Sequence, residues 1–312
     1  IGAPIGGGLA NAHWSAGEWL VVEADESDRS MLSLSVEIAV LTNVELDHHA
    51  TFSSLAELRE AFGEFLAGAG HAVVWDRPEL LALRAGEVVA YDTHELELLP
   101  GGSSFDWRGH TVRLDVPGAH NALDAAAALA AAELAGADAT GAIEGLASFR
   151  GAGRRFQLVG NGPQGAQIYE DYAHHPTEIA ATLRGARTLS HERVLAVFQP
   201  HLYSRTELLA REFGAALALA DVVVVLDVYP ARERQEDHPG VSGLLVAEAV
   251  ADAAVGRPVY WLASFMDAER VLRGLLRPQD VCVVMGAGDV DELARMLARP
   301  QMPARGQGEG RQ

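Results

Sequence analysis

Two stretches of this chain gather side chains that can handle anions and protons. Residues 169–179 read YEDYAHHPTEI, and residues 198–206 read FQPHLYSRT. In each, a short apolar run breaks into Asp, His, Tyr and Arg just where a helix pattern begins. Doubly wound α/β sheets place their ligand groups at such points, the carboxyl ends of strands, where helix N-termini also favour anions. Two clusters in neighbouring units imply one site read from several loops.

A second kind of chemistry is written in the first half. Residues 23–28, EADESD, follow the apolar run WLVV and place four carboxylates within six residues. Alone, such a loop is most simply a solvated acidic turn. The next strand pattern ends in TNVELDHH, with Asp47, His48 and His49 at the equivalent edge. Carboxylates and imidazoles delivered to one edge can bind a divalent cation. Magnesium in phosphate chemistry takes one or two carboxylates and fills its shell with substrate oxygens and water. Imidazole is an uncommon magnesium ligand, so manganese is the alternative metal. No cysteine or HxxxH spacing suggests structural zinc.

The elements that must position these groups alternate. Residues 19–24 and 37–42 read as buried strands, and 53–67 as an amphipathic helix with Leu55, Leu58, Phe62, Phe65 and Leu66 on one face. Residues 71–116 read as a meander, 120–134 as an alanine-rich helix and 141–149 as a short one. The pattern pauses at Arg150-Gly-Ala-Gly, which sets a domain boundary: 1–150, then 151–299, then a polar tail, 300–312, expected to be disordered. In the second domain strands are expected at 166–170, 193–198, 221–227, 258–262 and 280–285. Helices at 176–188, 205–219, 243–253, 265–275 and 289–298 separate them, which indicates a right-handed parallel α/β sheet.

Composition narrows the function classes. The 312 residues suit about two domains, and 49% hydrophobic residues supply a substantial core. The balance of 24 basic against 43 acidic residues argues against a broad nucleic-acid surface. No apolar run reaches the roughly 18 residues of a membrane span, and no signal peptide is recognisable. The single cysteine, Cys282, lies in the strand pattern VCVVM and reads as a buried thiol, which fits a cytoplasmic setting. Every basic residue is arginine; there is no lysine, so a Walker A loop, whose lysine reaches the phosphates, is not encoded here. The chain opens on a glycine-rich loop, IGAPIGGG, with no element before it, and an upstream N-terminal part is therefore expected.

Eight segments in order, EADESD, TNVELDHH, PGAHNALDAAAAL, GAGRRFQ, EDYAHHPTEI, FQPHLYSRT, DVYPARE and GAGDVDEL, resemble the Mur ligases over nearly the whole chain. The resemblance implies a partial central ATPase domain, a mostly parallel sheet flanked by helices, followed by a Rossmann-like C-terminal α/β domain. It implies ATP and Mg²⁺ (or Mn²⁺), and HHPTE with QPHLYSRT point to the alanine-adding member. That activity activates the lactyl carboxylate of UDP-N-acetylmuramate as an acyl phosphate for attack by L-alanine. The family's phosphate loop and UDP-binding domain lie upstream of this chain's first residue, so the chain alone is expected to be inactive.

By motif match, Glu23 binds one magnesium and His48 the second, near the acyl phosphate. Asn121, with His120 beside it, contacts adenine. Asp124 stands where the family commonly has a second asparagine; a carboxylate can still accept from the adenine amino group. Arg155 reaches the nucleotide phosphates and Asp171 is placed at the nucleotide. His174 and His175 line the acceptor side, one of them structural. Arg205 binds substrate carboxylates through a two-bond grip, with His201 its neighbour. Asp47 and His49 are secondary candidates. GAGDVDEL lacks the third glycine of a dinucleotide fingerprint and reads as a tight turn before the last helix. The competing functions are a ligase that recycles a whole tripeptide and a non-catalytic binding remnant of the fold.

Overall fold

The computed structural model describes residues 4–5, 11–14, 16–48, 51–189 and 191–299, and the chain divides into two compact units, Ile1–Ala152 and Gly153–Gln312. The glycine-rich opening beyond Pro4 and Ile5, His49 and the tail from 300 onward lie outside the described residues.

In the first unit, β1 (Ile38–Leu41), β2 (His71–Trp75) and β3 (Val89–Tyr91) form a parallel sheet in that order. Helix α1 (Leu55–Gly68) joins β1 to β2; its Ser54 cap accepts from the Glu57 amide, satisfying a donor the helix leaves open. A short helix, α2 (Pro78–Leu81), precedes β3. Strands β4 (His94–Leu99), β5 (Gly102–Trp107) and β6 (His110–Leu114) form an antiparallel meander, so the meander expected over 71–116 is corrected to its second half: 71–75 and 89–91 belong to the parallel sheet. Helix α3 (Ala119–Leu134) brings Ala122, Ala125, Ala126 and Ala130 against Val73, Tyr91, Phe105 and Val112, where small side chains permit close packing. Helix α4 (Ala139–Ser148) follows.

The strand expected at 19–24 is not formed. The segment lies outside any ladder, and its apolar side chains are exposed, Val21 by 85%. A strand needs a neighbour to take its backbone donors and acceptors, and among the described residues β1 pairs only with β2. The expected buried strand is corrected to an exposed, unpaired segment: an apolar run alone does not make a strand without a partner.

In the second unit the sheet order is β11-β10-β9-β12-β8-β7. It is built from β7 (Gln157–Asn161), β8 (Gln167–Asp171), β9 (Val194–Phe198), β10 (Val222–Val225), β11 (Val259–Trp261) and β12 (Val281–Met285). Helices α5 (Pro176–Ala186), α6 (Tyr203–Leu217) and α7 (Gly243–Ala253) cover one face. Helices α8 (Phe265–Leu275) and α9 (Asp291–Ala298) cover the other. Val194, Ala196 and Phe198 enter the first core while Leu195 and Val197 enter the second, so the strand reads as an unbroken apolar run. Pairing is parallel except at one edge: β7 runs antiparallel to β8, with a register shift between Leu158 and Gly160. The all-parallel expectation is corrected there. QLVGN is short, polar at both ends and bulged, so it carries little strand signal.

Candidate functional site

The carboxyl ends of β8, β9 and β12 lie side by side in the second unit's sheet, and their loops bring the two singled-out clusters together. Arg205, in the first turn of α6, is only 4% exposed, and its NH1 donates to His201 Nδ1 at 3.1 Å. A guanidinium only donates, so Nδ1 accepts and a neutral His201 carries its proton on Nε2. His201 stacks on Tyr229 at 5.7 Å and meets His174 edge-on at 5.9 Å. His174 Nδ1 lies 2.9 Å from the Tyr172 carbonyl oxygen, which can only accept, so a neutral His174 has its lone pair on Nε2. When both are neutral, these two contacts call for opposite tautomers.

The paired histidines separate by role. His175 is the N-cap of α5: its Nδ1 accepts from the Thr177 amide, while Glu178 reaches back to complete the capping box ahead of Pro176. The His174 ring faces Tyr172 and His201 instead.

The consecutive arginines separate too. Arg154 NH2 donates to the carbonyls of Gly286 at 3.2 Å and Gly288 at 3.0 Å, tying the GAGD turn to the start of β7. Gly288 packs on Tyr229 so closely that a Cβ there would lie 2.6 Å from the ring. Arg155 is half exposed and pairs with Glu178 at 3.4 Å. Both guanidiniums lie over Tyr172, at 4.9 and 5.4 Å.

Asp171 is buried, and its carboxylate accepts from the Phe156 amide (2.9 Å), the Ala173 amide (2.7 Å) and the Thr182 hydroxyl (3.2 Å). Burial pushes its carboxyl up to about 6 against the pull of these donors and of Arg155. It fastens the turn that carries Arg155. Neighbouring Glu170 is also buried, and burial together with Asp291 raises it. Tyr172, Arg154, Glu178, Gln199 and Tyr229 were not singled out by sequence reasoning. Only their places inside the matched segments marked them, and pattern alone does not tell which of two adjacent residues turns inward.

In the first unit the EADESD and DHH loops do meet. His48 Nε2 lies 2.9 Å from Glu26 Oε1, and the Thr51 hydroxyl donates to the Ser27 carbonyl at 2.6 Å. Asp47 accepts from the His48 amide at 2.8 Å. Glu23 is exposed three residues ahead of the carboxylate that holds His48. Among the described residues no group of three or more His, Cys, Asp and Glu is set to hold a metal. A carboxylate and an imidazole at one loop pair still fit a magnesium whose remaining positions go to phosphate oxygens and water.

At the start of α3, Asn121 Nδ2 donates to the Pro117 carbonyl at 2.7 Å and lies 3.2 Å from His120 Nε2. Gly118 (φ 104°) permits that turn, since a Cβ would meet the His120 ring at 2.5 Å. Asp124 is exposed; its charge, after burial, raises the phenol of Tyr91 on β3.

Comparison with known proteins identifies the family. The Mur ligase middle domain matches residues 9–132, and the Mur ligase glutamate ligase domain matches residues 154–288. The chain belongs to the Mur ligase family. Its curated relatives include the UDP-N-acetylmuramate–L-alanine ligase of Nocardia farcinica, 42% identical over 96% of this chain and 68% of that protein. Another is the enzyme of the same name from Mycobacterium sp. (strain JLS), 41% identical over 94% of this chain and 65% of its own length. The chain thus spans about two thirds of the length of these relatives. Among solved structures, the UDP-N-acetylmuramate-alanine ligase MurC of Thermotoga maritima superposes with a TM-score of 0.70 at 26% identity, covering 88% of this chain and 61% of that one. MurF from Acinetobacter baumannii gives 0.69 at 18% identity, covering 87% and 62%, a likeness of fold alone.

Proposed function

We propose that this chain carries the nucleotide-, metal- and amino-acid-handling residues of an ATP-dependent ligase that joins L-alanine to the lactyl carboxylate of UDP-N-acetylmuramate, an early step of cell-wall peptidoglycan synthesis. The observation that carries the reading is the cluster of buried Arg205 with the half-buried His201 and His174 at the strand ends of the second unit, on a chain whose curated relatives bear that name.

A carboxylate is a poor electrophile. One of its oxygens attacks the γ-phosphorus of ATP and ADP departs, giving an acyl phosphate; the amine then attacks the acyl carbon and phosphate leaves. Arg205 grips a substrate carboxylate. Neutral His174 presents a lone pair on Nε2 that can take the proton shed by the incoming ammonium, and His201 offers an N–H to an acceptor oxygen. His175 holds the helix start beneath them. Arg155 meets the nucleotide phosphates, and Asp171 serves by holding the Arg155 turn. Asn121, anchored through its Nδ2, offers adenine an acceptor, with His120 and Asp124 beside it.

Glu23 and His48 would hold Mg²⁺ (Mn²⁺ is the alternative), with Glu26 orienting the imidazole. Such an ion neutralises phosphate charge as two anions approach. The described helices include none long and apolar enough to cross a membrane, and the one cysteine is buried and free. A cytoplasmic setting, small-molecule partners and no nucleic acid belong to the same reading. The test is phosphate release from ATP in the chain extended to its relatives' length. Release that requires both UDP-N-acetylmuramate and L-alanine, and is lost in Glu23→Ala and His48→Ala, supports the reading; release indifferent to the amino acid sinks it.

A further inference from the structure

We propose that Glu178 is the positioning residue for both Arg155 and His174, making the GRRF turn and the start of α5 one piece that faces a nucleotide phosphate. The inference rests on the ligase reading above and names a residue which that reading does not use.

Glu178 is the third residue of α5, and its Oε2 accepts from the His175 amide at 3.1 Å, the ordinary reciprocal cap. The same oxygen accepts from the His174 amide at 2.9 Å, one residue further back than the cap requires. It also lies 3.5 Å from His174 Nδ1, whose other neighbour is the Tyr172 carbonyl. The second oxygen, Oε1, meets Arg155 NH1 at 3.4 Å. One carboxylate therefore touches the turn that carries Arg155 and the loop that carries His174.

An ion pair as exposed as this one contributes little by itself, because ordering two long side chains offsets most of the attraction. Here the glutamate is already fixed by two backbone donors, so only the arginine remains to be ordered. Tyr172 limits that motion, since the Arg155 guanidinium lies 5.4 Å over its ring while His174 meets the ring edge-on at 5.2 Å. Burial raises the Glu178 carboxyl, but the two amides and Arg155, joined by His174 whenever it is protonated, outweigh it and hold the carboxyl below its usual range.

A plain helix cap would account for the amide bonds but not for dependence on Arg155, and a double-mutant cycle separates the two. Binding of ADP with Mg²⁺ is measured calorimetrically in the chain extended to its relatives' length, for wild type, Glu178→Gln, Arg155→Ala and the double variant. Glu178→Gln keeps an acceptor for the cap and removes the charge. It is expected to weaken ADP about fivefold, the scale of one well-placed ion pair, and to add nothing once Arg155 is alanine. Glu178→Asp, charged but too short to reach Arg155 from the cap, should behave as Glu178→Gln and guards against a folding defect. Unchanged ADP affinity in Glu178→Gln, or a loss that persists undiminished beside Arg155→Ala, overturns the proposal and leaves a helix cap. Failure of the ligase reading shows earlier, as wild type that binds no nucleotide or an Arg155→Ala variant that binds like wild type, and the proposal falls with it.

Discussion

Asp171 is an acid held in charge with almost no water around it. Its folded value of about 6 stands above the ordinary 3.8, so between those values the folded chain binds more protons than the unfolded one. Stability therefore falls as pH rises from about 4 to about 6, by about 3 kcal/mol for a shift of this size. Urea unfolding across pH 4–8 should show that slope in wild type and lose it in Asp171→Asn; equal slopes in the two would remove the assignment. Arg205 gives a second residue-scale prediction. Its guanidinium is buried beside His201, and on the proposed ligase reading Arg205→Ala deletes the grip on a substrate carboxylate. Steady-state kinetics in the chain extended to its relatives' length should show KM for the amino acid rising about 100-fold, with ATP KM much less affected. Residue types and spacing made Arg205, His201 and His174 legible, because each sits where an apolar run meets a helix start. They did not make Glu178 or Arg154 legible. Which of two adjacent arginines turns to Gly286 and which to Glu178 is settled by tertiary packing, and a capping glutamate looks like any other first-turn acid.

At the scale of elements, the GAGD turn after β12 shows how packing sets the site. Gly288 sits against Tyr229 and Gln199, and a Cβ would come within 2.6 Å of both side chains. Gly288→Ala must push Tyr229 off His201; a stability loss of about 1–3 kcal/mol is expected by thermal unfolding, together with a raised amino-acid KM. Gly274, exposed within α8, has nothing within 4 Å of the same position. Gly274→Ala should stabilise the chain by about 0.5–1 kcal/mol, and the opposite signs check the packing argument. Strands buried on both faces, such as β9 and β12, were legible as apolar runs. Residues 19–24 carried the same signal and formed no strand, because periodicity reports an apolar face and not the neighbour that must pair with it. β7 failed the other way: an edge strand with a bulge has too few apolar positions to be seen.

Across the whole chain, the two compact units each have a core of their own. Asp280, fully buried, takes both donors of Arg193 at 3.0 and 2.6 Å, plus the Arg277 amide at 2.8 Å, at the amino edge of the second unit's sheet. Removing Asp280 takes the acceptor from the partly exposed Arg193 and from the Arg277 amide, so Asp280→Ala should cost the second unit about 1–3 kcal/mol. Calorimetry should show the transition of Gly153–Gln312 falling while that of Ile1–Ala152 holds. The sequence shows acidic loops before residue 150 and histidine-arginine clusters after it, and these fall in different units of the structure. That Glu26 meets His48 was not visible, because four carboxylates in six residues offer several equivalent partners to His48. The most direct test of the ligase account is mass spectrometry of the product formed from ATP, Mg²⁺, UDP-N-acetylmuramate and L-alanine by the chain extended to its relatives' length. The account predicts UDP-N-acetylmuramoyl-L-alanine, absent without ATP and abolished by Glu23→Ala. An enzyme that leaves L-alanine untouched and joins a preformed tripeptide to the same acceptor would contradict it.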